Sequence, residues 1–153
     1  MSTPIQETWS IHNRINLFLL DAVSHDQLAL LPSAKGRSVG QLFAHMNDVR
    51  LMWLKASAPE LLEGLKKLGP DSHSKADLAL ALQNSGKAIE SILGQASLAG
   101  GRVKGFKPHV TAFLGYLIAH EAHHRGQVAL ILRQNGQPLD KKISYGMWEW
   151  GVR

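Results

Sequence analysis

The chain contains no cysteine. That absence excludes disulfide frameworks, thiolate nucleophiles and cysteine-based zinc sites, and it fits a reducing compartment. No apolar run approaches the length of a bilayer span. The opening residues, MSTPIQETWS, lack a basic segment followed by an apolar core. No signal peptide is therefore expected, and the protein reads as cytoplasmic. There is no internal repeat or low-complexity tract. No stretch alternates apolar and polar residues for long enough to build a sheet.

What remains is ordinary globular composition: 153 residues, 44% apolar and 19% charged. That length predicts one domain spanning 1–153, with a core that needs no cross-links. The net charge is +5, which raises nucleic acid as a partner. The basic residues are scattered, however, at Lys66-Lys67, Arg102 to Lys107 and Lys141-Lys142. No aromatic stacking platform interleaves with them, so nucleic acid is not the expected partner. The charge favours the approach of anionic ligands.

Periodicity predicts four long helices. From Pro4 to about Ser24, the residues Ile5, Trp9, His12, Asn16, Leu19 and Val23 share one face. Pro4 suits a first turn. Ser38-Val39-Gly40-Gln41 fits a capping box and opens a second helix. Its predicted stripe is Leu42, His45/Met46, Val49, Met52/Trp53 and Ala56. Pro59 to Leu68 reads as a short helix closed by Gly69-Pro70. Ser74 starts a third helix with Leu78, Leu82, Ser85, Ile89 and Leu93 on one side, broken by Gly100-Gly101. Pro108 begins a fourth, which carries Phe113, Leu117, His120, His124, Val128 and Ile131 and stops at Asn135-Gly136. The expected fold is all-α, a four-helix bundle. The tail from Ile143 to Arg153, with Tyr145, Trp148 and Trp150, predicts a short segment that caps the bundle or joins a dimer contact.

Histidine is the chemically informative residue. His120 and His124 lie one helical turn apart within an apolar stripe, so both side chains leave the same face. His45 occupies the equivalent inward phase of the second helix. Three neutral imidazoles converging inside a bundle make a metal site with coordination positions left open. All-nitrogen ligation suits zinc, nickel, iron, cobalt or copper over magnesium and calcium. A single histidine on an apolar face is usually a hydrogen-bonded core residue. Three without partners would be costly, and a shared metal removes that cost. His12 and Asn16 share the inward face of the first helix, where they either support the metal ligands or bond locally in the core. His123 is turned about 100° from His124, toward the bundle edge or a neighbouring chain. His25, His73 and His109 fall near helix ends or in loops.

His120-Glu121-Ala122-His123-His124 also spells HExxH, in which the glutamate serves as general base beside a zinc-bound water. The extended protease form fails, because Gln127 stands where a glycine is needed. No sheet edge is evident to hold a peptide.

A longer match runs from His120 to Gln127, ending in His123-His124-Arg125-Gly126-Gln127. It resembles the fourth-helix motif of the DinB-like family of metal-binding four-helix bundles. Ser38 to His45 is similar to that family's second helix, and Trp9 to Leu20 to its first. The resemblance implies His45, His120 and His124 as ligands of zinc or nickel, sometimes iron. It also implies a long connection between helices two and three, and a homodimer. The chain departs from the pattern twice. After His45 the family often carries a glutamate a turn later, but here the stretch reads Asp48-Val49-Arg50; and position 121 is Glu where small or polar residues are common.

Relatives of known activity include metal-dependent transferases of low-molecular-weight thiols and a thiol-dependent isomerase. Thiol S-transfer or metal-assisted hydrolysis on a small-molecule substrate is thus the expected chemistry, with Glu121, His12 and Gln127 as candidates for orienting or moving protons. The alternative is a stress-related metal-binding protein without catalysis.

Overall fold

The computed structural model describes residues 1–153. Its main helices are α1 (Pro4–Ala22), α2 (Val39–Ser57), α3 (Lys75–Leu98) and α4 (Val110–Gln134), followed by a short α5 (Lys141–Gly146). There is no strand, as the lack of alternating segments predicts. Each main helix has a side-chain N-cap. Thr3 and Ser38 form full capping boxes with Gln6 and Gln41. Ser74 caps α3. These caps satisfy amide groups that the first helical turn leaves without partners.

Around the bundle the order is α1, α3, α2, α4. α1 and α2 both pack on α3, and both also touch α4. Two apolar clusters fill the interior. One gathers Trp9, Leu54, Ile89, Leu93, Phe113 and Leu117. The other gathers Leu19, Phe43, Met46, Leu78, Leu82 and Val128. In every helix the polar core residues lie between the two sets: His12 and Asn16 on α1, Arg50 on α2, Ser85 on α3, Glu121 on α4. A polar layer thus crosses the middle of an otherwise apolar core. Gly86 lets α1 approach α3 there, since a Cβ would collide with Asn13 and Trp9 Nε1 donates to the Gly86 carbonyl at 2.8 Å.

Three local expectations change. On α2, Met52 and Ala56 are exposed, and Val49 is only half-buried. The buried line is instead Phe43, Met46, Asn47, Arg50 and Leu54, because α2 is covered by α3 on one side and α4 on the other. The short helix expected over Pro59 to Leu68 is a single 3₁₀ turn, Pro59–Leu62. Gly64 at φ 77° breaks it, a conformation that favours glycine. The fourth helix starts at Val110 rather than Pro108, because His109 is the N-cap and accepts from the Ala112 amide. The long link between α2 and α3 is present. In the tail, Tyr145 and Trp148 are exposed.

Candidate metal centre

α2 and α4 lie side by side, which brings His45 against His120 and His124. One ring nitrogen from each histidine lies within 4.8 Å of the other two. Ring centroids are 4.6 Å apart for His120–His124, 4.9 Å for His45–His124 and 5.4 Å for His45–His120. His124 is buried, while His45 and His120 are half-buried. The cluster therefore sits at the rim of the α2–α4 seam rather than at the bundle axis.

The hydrogen bonding of the rings bears on a metal directly. His124 Nδ1–H donates to Gln127 Oε1 at 2.7 Å, so its Nε2 carries a lone pair. That Nε2 faces His120 Nε2 at 3.0 Å. His120 Nδ1 is buried and has no partner. If His120 carries its proton on Nδ1, two lone pairs meet. If it carries the proton on Nε2, a buried acceptor is stranded. A cation between the Nε2 atoms resolves the first arrangement. Two nitrogens on one tetrahedral zinc stand about 3.3 Å apart, from Zn–N bonds of about 2.0–2.1 Å. The donor set and its spacing therefore fit a transition metal.

Electrostatics keeps the three rings in the form that can bind a metal. His45 is lowered to about 4, by burial first, then by Arg37 and the other two rings. Burial likewise lowers His120 and His124. Unprotonated imidazole is the ligating state. Gln127 acts by fixing the His124 ring. Gln127→Leu is expected to weaken metal affinity by about 10–100-fold with the fold intact, as measured by competition with a chromophoric chelator. Unchanged affinity would show that the ring needs no such support.

Glu121 and His12, both candidates for moving protons, are bonded to each other in a buried network with Arg50. Glu121 is buried, and its carboxylate lies outside the histidine cluster. Its Oε1 accepts from Arg50 Nε at 2.6 Å. Its Oε2 accepts from Arg50 NH2 and His12 Nε2, each at 2.8 Å, and from Asn16 Nδ2 at 2.7 Å. Arg50 also donates to the Leu82 carbonyl, Ser85 Oγ and Asn13 Oδ1. Arg125 donates to His12 Nδ1 and Asn16 Oδ1. Burial lowers His12, against the raising effect of Glu121, and a neutral ring protonated on Nε2 donates to Glu121 and accepts from Arg125 on Nδ1.

A carboxylate so occupied has no capacity for the general-base role of HExxH, so the motif is a coincidence of spacing here. The members that sequence reading passed over are Arg50 and Arg125. For Arg50 a signal existed, since it continues the Phe43–Met46/Asn47 spacing.

On its outer side His45 lines a cleft of about 510 Å³, bounded by Arg37, Gln41, Asp48, Met52 and Lys67. No helix is long and apolar enough to cross a membrane.

A family model described as the DinB family matches residues 1–142. A crystal structure of a protein assigned to that family from Exiguobacterium sibiricum 255-15 is similar, with a TM-score of 0.64 and 17% identity over 94% of this chain and 99% of that one. So is the structure of a DinB-like protein from Bacillus cereus ATCC 10987, with a TM-score of 0.66 and 22% identity over 89% and 93%. No curated protein matches the sequence.

Proposed function

The chain belongs to the DinB family, and from that premise we propose that it is a metal-dependent enzyme acting with a low-molecular-weight thiol, an S-transferase in type. The observation that carries this reading is the three-histidine cluster with a cleft open beside His45. Three protein donors leave room for a substrate donor, as catalytic sites do and closed structural sites do not. A divalent transition metal held there, zinc or nickel before iron, supplies Lewis acidity that eases deprotonation of a thiol or water.

The protein's own part is to hold and aim. His45 comes from one helix, and His120 and His124 from its neighbour. Gln127 fixes the His124 tautomer so that Nε2 presents a lone pair. The chain has no cysteine, so the thiol arrives with the substrate. His45 and His120 are half-buried, and His45 opens the cluster onto the cleft it lines.

The test begins with metal content on untagged protein prepared without nickel resin. About one transition metal per wild-type chain is expected, lost in His45→Ala and His124→Ala while both stay folded. The loaded protein is then mixed with a small thiol and an electrophile, and thiol consumption is followed. Metal-dependent consumption that vanishes in the variants supports thiol transfer. Metal-dependent ester hydrolysis without thiol use moves the assignment to hydrolase. Bound metal with neither activity favours a non-catalytic role.

A further inference from the structure

The cleft beside His45 has a charge pattern of its own. Two cations, Arg37 and Lys67, stand on its walls. Both are exposed, and neither has an ion-pair partner, because the ion pairs of the structure all centre on Glu121. The one acid in the lining is Asp48, and its oxygens are already engaged. Oδ1 accepts from the Leu68 amide at 2.8 Å and from Asn47 Nδ2 at 3.2 Å. Oδ2 accepts from the Gly69 amide at 2.8 Å. Asp48 therefore pins the loop that carries Lys67 and does not neutralise either cation directly.

Arg37 shares the lining of this cleft with His45, the cluster member that opens onto it. The cleft holds about 510 Å³, the size of a small-molecule site.

Unpaired cations beside a three-histidine cluster that leaves a coordination position open on a bound metal select a ligand with two different ends. We infer that this cleft takes small molecules bearing a carboxylate, recognised by Arg37 and Lys67, while a second donor on the same molecule reaches the three-histidine cluster. The guanidinium offers a planar pair of donors that matches a carboxylate, and the Lys67 ammonium adds a second positive charge to the lining. Bound divalent metal makes the site more positive and strengthens the preference. This inference rests on the metal reading above and adds to it the class of ligand.

Mercaptosuccinate and 2-mercaptoethanol form the informative pair, since both carry a thiol and only one carries carboxylates. Cobalt(II)-loaded protein is titrated with each, and binding is read from the visible absorption bands. In the wild type mercaptosuccinate is expected to bind about tenfold more tightly, the sum of two modest charge contacts. In the Arg37→Gln/Lys67→Gln double variant that ratio is expected to fall below about threefold, and 0.5 M sodium chloride should shrink it in the wild type. Equal affinities in the wild type, or a ratio that survives in the double variant, would overturn the inference.

If the protein takes up no cobalt, the metal reading alone has failed. Succinate is then titrated into the metal-free protein and followed by amide resonances. Shifts around Arg37, Gln41 and Lys67 that the double variant loses sustain the anion site. No shift in the wild type removes it.

Discussion

Glu121→Gln is expected to destabilise the protein by about 3–5 kcal/mol, because it leaves Arg50 buried without its counter-charge. Both residues are essentially inaccessible to solvent. For a chain of this size the midpoint of thermal unfolding should fall by roughly 6–20 °C. The loss reflects the stranded cation more than the strength of the pair. Replacing both ends with apolar residues, as in Arg50→Met/Glu121→Leu, should cost much less than the single change, since buried pairs are often matched by good packing. Two denaturant titrations settle this. A single variant as stable as the wild type would mean that Arg50 finds water or another acceptor.

The same carboxyl has a pH signature. Burial alone would push Glu121 up, but the Arg50 guanidinium and its hydrogen bonds, with His12, outweigh burial and hold it well below the usual carboxylate range. A depressed folded value means the contribution is present above the unfolded value, near 4.5, and is lost as pH falls below it. One proton gives a slope of at most about 1.4 kcal/mol per pH unit. Glu121→Gln lacks that proton-linked loss, so the gap in stability between wild type and variant should narrow steadily between pH 5 and pH 3. A gap that stays constant would mean that Glu121 is not ionised in the folded protein.

Loading the histidine cluster should produce the second large effect. A metal that binds only the folded chain stabilises it by about 4 kcal/mol at a free concentration a thousandfold above its dissociation constant. The melting midpoint of zinc- or nickel-loaded protein should then lie roughly 8–16 °C above that of chelator-treated protein. Chelator should abolish the difference, and His124→Ala should show none. His120 Nδ1 would remain buried without a protein partner, so His120 should be the least firmly oriented of the three rings. An unchanged midpoint on loading would argue that these histidines are core residues with no shared ligand.

The two stretches where the chain departs from its family resemblance bear on each other. Arg50 follows His45 on α2, and Glu121 follows His120 on α4, and the two side chains form one buried ion pair. Each looks unusual when read alone. Together they bind α2 to α4 close to the clustered histidines. The pair therefore helps set the register that brings His45 to His120 and His124, while lying apart from the chemistry.

Much of this molecule is visible in one dimension. Helix starts at Ser38 and Ser74, the stop near Asn135-Gly136 and the inward face of α4 follow from local chemistry and a 3.6-residue period. The spacing of His120 and His124 needs only one helix, and their agreement with His45 needs only the phase of a second. Which way Glu121 turns is a different kind of question. It neighbours His120 in sequence, and a short motif makes it a catalytic base. Its carboxylate goes instead to Arg50, His12 and Asn16, which come from two other helices, and no local rule weighs that competition.

The same holds for the cleft. Arg37 and Lys67 are 30 positions apart in separate loops, and only the packing of the α2–α3 link, pinned by Asp48, brings both to the lining of one cleft. Periodicity and capping are short-range effects written along a single helix. The pairing of buried charges and the shape of a cleft depend on distances between helices, and those exist only once the bundle has closed.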